Sequence, residues 1–169
     1  GSMENEELYK PMKVRIDSTG KIYVLNMDAI GQRRLKVFNS DGTYTGTELN
    51  ADAFVDFVLD GDGTIYGVTY NGLIRKYIKQ VDGSWAGDNY ILLESAANAV
   101  YTSIDIKEGI IYTAYNYGTA KIKTFDAATV EWRTYANLGS TPTTALSETS
   151  LSDLSPTGMK VESNEIYIS

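Results

Sequence analysis

The chain contains no cysteine and no histidine among its 169 residues. The first absence excludes disulfides, thiolate nucleophiles and sulfur-ligated metals, and the second removes the commonest general base and transition-metal ligand. Basic charge is also scarce. Fifteen Lys and Arg face 22 Asp and Glu, and the net charge of −7 repels phosphate backbones, so nucleic acid is not an expected partner. No apolar run approaches the roughly 18 residues that a membrane-spanning helix needs, and no membrane partner is expected. What is present is an ordinary globular mixture, 43% hydrophobic and 22% charged, at a length that suits one domain. Gly1, Ser2 and Met3 read as a cleavage scar. Residues 1–13 are therefore set apart as a scar and N-terminal segment, and 14–169 is read as a single repeat domain.

The repeat is anchored by an Ile-Tyr pair that occurs at Ile22-Tyr23, Ile65-Tyr66, Ile111-Tyr112 and Ile166-Tyr167. Ahead of each lies an alternating apolar pair: Val14 and Ile16, Phe57 and Leu59, Ile104 and Ile106, Met159 and Val161. A short polar turn separates the two runs, for example Asp17-Ser-Thr-Gly20 and Asp60-Gly-Asp-Gly63. Period-two alternation, a tight turn and a β-favouring run make a hairpin. With Ile16, Leu59, Ile106 and Val161 taken as equivalent, the spacings are 43, 47 and 55 residues, enough for four short strands per repeat. The repeats are predicted at about 14–50, 54–94 and 101–138, with an incomplete fourth at 157–169. In the third, the last strand is placed at Val130 to Ala136.

No helical period competes over a long window, so the chain is predicted to be all-β. A four-stranded meander cannot bury both faces alone, and successive units must stack face to face. The expected architecture is a partial β-propeller of about three and a half four-stranded antiparallel blades, with a sandwich or open meander as the other arrangements the pattern allows.

The first repeat, Val14-Arg-Ile-Asp17-Ser-Thr-Gly20-Lys-Ile-Tyr-Val24 continuing to Arg34-Leu-Lys-Val-Phe38-Asn-Ser-Asp-Gly42, resembles an NHL-type propeller repeat. The second, Phe57-Val-Leu-Asp60-Gly-Asp-Gly63-Thr-Ile-Tyr66-Gly-Val68, is also similar to tachylectin-type lectin propellers. That second resemblance implies a carbohydrate ligand, although the recurrent Gly-Trp elements of the lectins are missing here. NHL-like propellers also include lyases and hydrolases, which raises the option of an enzyme fragment.

In an up-and-down meander, the turns between second and third strands share an end with the connections between blades. That end is predicted to gather Tyr70, Asn71, Tyr115, Asn116 and Tyr117, with the Ser- and Thr-rich segment 139–156 beside them. Tyrosine stacks on sugar faces and anchors protein partners, and asparagine donates and accepts. The alternative is that Asn and Gly serve turn geometry and the tyrosines cap the sheet. Asp60 and Asp62 alternate as calcium ligands do, but Thr64 and Ile65 follow where further oxygen ligands belong, so the stretch reads as a hairpin turn. Asp17, Asp56 and Asp105 show no spacing that selects a catalytic carboxylate pair. Asp56 and Asp105 occupy comparable places in first strands, which suggests a repeated hydrogen-bonding role. No catalytic residue, metal ligand or cofactor is assigned.

Three meanders and one hairpin leave an open sheet edge. Two copies would supply seven blades, so a homodimer is one expectation, and continuation within a larger parent protein is the other. The expected function is a non-catalytic module that recognises glycan or protein through the loop face, with a structural scaffold acting through its open sheet edges as the alternative. The missing cysteine does not reveal a compartment, because many extracellular bacterial proteins also lack it; an extracellular or cell-surface setting is the expectation that suits a recognition module.

Overall fold

A computed structural model describes residues 8–93, 100–117, 119–151, 156–163 and 165–169. The chain divides into two compact units, Gly1–Phe54 and Val55–Ser169. The first unit is one antiparallel meander of β1 (Lys10–Ile16), β2 (Ile22–Met27), β3 (Arg33–Phe38) and β4 (Tyr44–Asn50), paired in that order. The second unit carries a meander of β5 (Phe54–Leu59, which begins at the boundary), β6 (Ile65–Thr69), β7 (Leu73–Lys79) and β8 (Trp85–Leu92). A third follows as β9 (Val100–Lys107), β10 (Ile110–Tyr117), β11 (Thr119–Asp126) and β12 (Ser147–Leu151), and then a hairpin of β13 (Met159–Glu162) and β14 (Glu165–Ile168). The fold is all-β, a partial β-propeller with three four-stranded blades and a half blade of two strands. Each Ile-Tyr pair lies at or next to the start of the second strand of its sheet.

Hydrogen bonding explains why so many short polar stretches reverse the chain in the same way. At the first turn the Asp17 amide donates to the Lys21 carbonyl and the Gly20 amide to the Asp17 carbonyl, both at 3.0 Å, with Gly20 at φ +85°. A side chain at that φ would be strained, so glycine supplies the reversal. The Asp17 carboxylate then accepts from the Thr19 and Lys21 amides and from the Tyr23 hydroxyl. Burial pushes its pKa up, but the bonds from Thr19, Lys21 and Tyr23 outweigh that and hold it below the ordinary aspartate value. The Asp60–Gly63 stretch has the same main-chain pattern, and its carboxylates accept from the Gly61 and Thr64 amides as a hairpin turn requires.

Within the second unit, the β5–β8 and β9–β12 sheets share one core. Val58, Tyr66, Val68, Ile74, Ile91 and Leu93 meet Ile104, Ile111, Tyr115 and Phe125 there. Side chains alternate along β10, so Ile111, Thr113 and Tyr115 turn to this core while Tyr112 and Ala114 turn to the other face. The Thr113 hydroxyl is fully buried and has no hydrogen-bond partner. Thr113→Val removes an orphaned polar group at constant shape, and is expected to raise the unfolding free energy by about 1 kcal/mol in urea denaturation.

Inner strand edges are capped by side chains of the preceding sheet. The Asp56 carboxylate accepts from the Ser103 hydroxyl at 2.9 Å and the Ile104 amide at 3.4 Å. One sheet further on, the Met159 amide donates to Ser103 Oγ at 3.0 Å and the Val161 amide to Asp105 Oδ2 at 2.7 Å. The three amide contacts each satisfy an N–H that has no strand beyond it among the described residues, which keeps the first strands from exposing a pairing template. The carboxylates do share this role. Counted back from the equivalent Leu59 and Ile106, however, Asp56 matches Ser103, and Asp105 lies two residues further along.

The third sheet differs from the sequence expectation at its outer strand. Residues 130–136 are not that strand, and the sheet is completed by β12 at Ser147–Leu151, so the third blade spans Val100–Leu151 instead of 101–138. The alternation of Val130 and Trp132 has a different cause. Trp132 packs on Tyr66 with ring centroids 5.7 Å apart, and the Arg133 main chain exchanges two hydrogen bonds with Tyr90 on the outer edge of β8, at 2.8 and 2.9 Å. Residues 127–146 are thus a wedge against the neighbouring sheet. The real fourth strand, Ser-Glu-Thr-Ser-Leu, is polar and mostly exposed, and it carries almost no apolar periodicity to be read.

Candidate functional site

The two faces of the β9–β12 sheet are covered unequally. One packs on β5–β8 and the wedge. The other meets the β13–β14 hairpin, where Ala114, Ile122 and Met159 form a small core with Tyr112, Leu151 and Ile168 beside it. This core does not end at the hairpin. It continues into a groove of about 550 Å³ walled by Tyr112, Ile122, Thr149, Leu151, Ile166 and Ile168. Ile122 turns inward from β11, and Thr149 and Leu151 from β12, because their register places them opposite one another on the same side of the sheet.

Beside the groove runs an open edge. Ser169 exchanges two main-chain hydrogen bonds with Gly158, at 3.1 and 3.2 Å. In an antiparallel ladder such pairs alternate, so Tyr167 and Glu165 also point their N–H and C=O groups at β13, opposite Lys160 and Glu162. Ile166 and Ile168 therefore direct theirs outward. The opposite strand confirms the phase, since the amides of Met159 and Val161, their cross-strand neighbours, point away from β14 to Ser103 and Asp105. Among the described residues β14 has one strand neighbour, β13. The hairpin is tethered by Lys107, whose ammonium donates to the Ser163 carbonyl at 2.7 Å, and by the Lys160–Asp105 pair at 3.7 Å.

On the opposite face, the outer strands are pinned by charge. Lys123 is buried, donates to the Leu93 carbonyl at 2.9 Å, lies 3.3 Å from Glu148 and sits over the Tyr115 ring. Lys121 pairs with the same carboxylate at 2.6 Å. The hydrogen bond from Lys121, and then that from Lys123, hold the Glu148 carboxyl below the ordinary glutamate value of 4.5 against the opposing effect of burial. A carboxyl depressed on folding contributes stability that is full above its unfolded pKa and lost as pH falls through the folded one. Part of the protein's acid lability below about pH 4.5 is therefore expected to vanish in Glu148→Gln, as seen in unfolding midpoints measured between pH 6 and pH 3.

The loop-face residues separate. Tyr70 is 58% exposed and Asn71 is exposed beside it, at a turn closed by Thr69, whose hydroxyl accepts from the Leu73 amide at 2.9 Å. Tyr115, Asn116 and Tyr117 are in strand, not loop, because β10 runs to Tyr117 and β11 starts at Thr119. Tyr115 is fully buried and its hydroxyl contacts Glu148. Asn116 is half-buried, and the side chain of Tyr117 lies outside the described residues. The inter-blade stretch 94–99 lies outside them too, as do residues 152–155 of the segment expected at that end. The remainder of that segment holds part of the wedge and β12. Ile122 and Leu151 are not legible in the sequence as neighbours, because Leu151 lies in the Ser- and Thr-rich segment 139–156, which was expected at the loop end.

The architecture defined by these sheets is a propeller-like repeat domain. No family model matches the chain, and no curated protein sequence matches it. Among solved structures, it is similar to the β-propeller domain of Cps50 (Swd1) from Myceliophteria thermophila, at 10% identity and a TM-score of 0.48 over 89% of this chain. The chain covers 59% of that structure's length.

Proposed function

We propose that the protein is a non-catalytic module that binds polypeptide, pairing a β-hairpin with the edge of β14 over the apolar groove on β11 and β12. One observation carries this reading: among the described residues the apolar core under β13–β14 continues into a groove over β11 and β12, beside a strand edge with outward-pointing donors and acceptors. Main-chain pairing supplies affinity in such an arrangement, and side chains seated in the groove supply selectivity. A non-catalytic role is supported by the absence of His and Cys and by the use of Asp56 and Asp105 as caps for buried N–H groups.

The test uses a synthetic 14-residue cyclised hairpin peptide with Val and Ile on one face and Lys and Thr on the other, titrated into the labelled protein by NMR. Saturable shifts at Ile122, Leu151, Ile166 and Ile168 are expected, with at least tenfold weaker binding in Leu151→Lys. Shifts scattered over the surface and unaffected by that substitution would reject the reading. Glycan recognition at Tyr70 and Asn71 is the second reading, supported by the exposed Tyr70 ring. It rests on fewer groups, because Tyr115 belongs to the core. A glycan array probed with the wild type and Tyr70→Ala tests it, and loss of a specific signal in the variant is the expected result.

A further inference from the structure

We infer that Asp60 is a site of spontaneous covalent modification, at which the Gly61 amide closes on the Asp60 carboxyl and turns the aspartate into isoaspartate. Five turns among the described residues share one main-chain frame, starting at Asp17, Asp28, Asn39, Asp60 and Gln80. In each, the amide of the first residue donates to the carbonyl of the fifth, and the glycine at the fourth place donates back to the first. A carboxylate at the first place can accept from the amides of the third and fifth residues, as Asp17 does from Thr19 and Lys21 and Asp28 from Ile30 and Gln32. A carboxylate at the third place takes the fifth amide for itself, as Asp41 does at Thr43 and Asp82 at Ser84, both at 2.9 Å.

Among these turns only Asp60-Gly61-Asp62-Gly63-Thr64 has an acid at both places, so two carboxylates compete for one amide. Asp62 holds it, with the Thr64 amide at 2.8 Å. The Asp60 carboxylate is left to the next amide along the chain, and its Oδ1 accepts from Gly61 at 2.7 Å. That contact brings the Gly61 nitrogen against the carboxyl carbon with which it closes a five-membered ring. Gly61 is exposed, and a Cβ at that position would meet nothing within 4 Å, so the ring has room to form.

The nitrogen attacks Cγ of the protonated Asp60 carboxyl. The N–Cγ bond forms, the Cγ–OH bond breaks, and the hydroxyl leaves as water with the amide proton. Solvent water then adds to one of the two imide carbonyls. Addition at Cγ restores aspartate, whereas addition at the main-chain carbonyl carbon leaves the chain running through Cβ and Cγ, an isoaspartate of unchanged mass. Comparable residues each lack a requirement. The glycines that follow Asp41, Asp62 and Asp82 donate their amides to the carbonyls of Asn39, Asp60 and Gln80, at 3.0, 2.9 and 3.0 Å, and Gly72 after Asn71 donates to Thr69 at 3.3 Å. Asp41 and Asp82 are also held below the ordinary aspartate value by the bonds from Thr43 and Ser84, which withholds the proton that the leaving hydroxyl needs. Asp17 and Asp28 precede Ser18 and Ala29, whose side chains crowd the nitrogen. Asp56 and Asp105 do touch the next amide, at 2.9 and 3.0 Å, but within strands and beside the bulk of Phe57 and Ile106.

The test is to incubate the full chain at mildly acidic pH, digest it and locate isoaspartate by electron-driven fragmentation, which distinguishes the two isomers. Isoaspartate is expected at Asp60 at least tenfold above Asp41, Asp62 and Asp82. Asp62→Thr copies the third place of the Asp17 turn, returns the Thr64 amide to Asp60, and is expected to slow the reaction at least fivefold with the Asp60-Gly61 pair intact. Asp62→Ser serves the same purpose if the urea midpoint shows that threonine unsettles the fold. A linear peptide of residues 56–68, without the fold to hold the turn, should react equally fast with and without the substitution. Isoaspartate spread evenly over the four Asp-Gly pairs, none at Asp60, or equal rates in the folded chain and its folded Asp62 variant overturns the inference.

Discussion

Asp56→Ala is expected to lower the unfolding free energy by about 3 kcal/mol, roughly a 10 °C fall in Tm for a domain of this size. The carboxylate is buried at 1% exposure and accepts from the Ser103 hydroxyl, the Ile104 amide and the Phe57 amide, at 2.9, 3.4 and 2.9 Å. Alanine leaves two inter-sheet donors facing a cavity that is too deep to rehydrate freely. A bond to a charged acceptor contributes about 1.5–3 kcal/mol, and an orphaned buried donor adds its own penalty. Asp56→Asn keeps one acceptor oxygen and is expected to cost about half as much. Urea unfolding of the two variants checks the order. Equal stability of wild type and Asp56→Ala would show that the sheets are held by apolar packing alone.

The second large effect is expected at Lys123. Lys123→Ala strips the Leu93 carbonyl of its buried donor, removes the buried one of the two cations beside Glu148 and leaves a void beneath Tyr115. These losses are expected to total about 3 kcal/mol. Lys123→Met refills the void without restoring the hydrogen bond, and should recover about 1 kcal/mol of that loss. Lys121→Ala removes a partner that lies on the exposed side of the same carboxylate, and its effect is expected to stay below about 1 kcal/mol. The contrast between the two lysines, measured in the same denaturant series, separates a buried pin from a surface pair.

How far the sequence foretold these features depends on what each residue has to do. The Ile-Tyr strands and the Gly turns were legible, because alternation and a left-handed glycine leave a local mark. β12 was not. Its residues need only pair with β11 and face water on one side, so Thr, Ser and Glu serve as well as a β-branched apolar run. The tyrosines near the end of β10 misled for a related reason: Tyr115 looks like a loop aromatic until β10 is seen to run on to Tyr117, which draws it into the core. The basic-x-aromatic pattern of the third strands is present in the sequence at Lys36-Val37-Phe38, Arg75-Lys76-Tyr77 and Lys123-Thr124-Phe125, but that each triplet faces the same two positions of a second strand appears only in the register.

Residue-resolved amide hydrogen exchange along β14 in the protein alone tests the half-built blade most directly. Slow exchange at Tyr167 with fast exchange at Ile166 and Ile168 is predicted, since only the first donates to β13. Uniform protection at all three would mean that another strand already occupies the edge, contradicting a β14 paired with β13 alone.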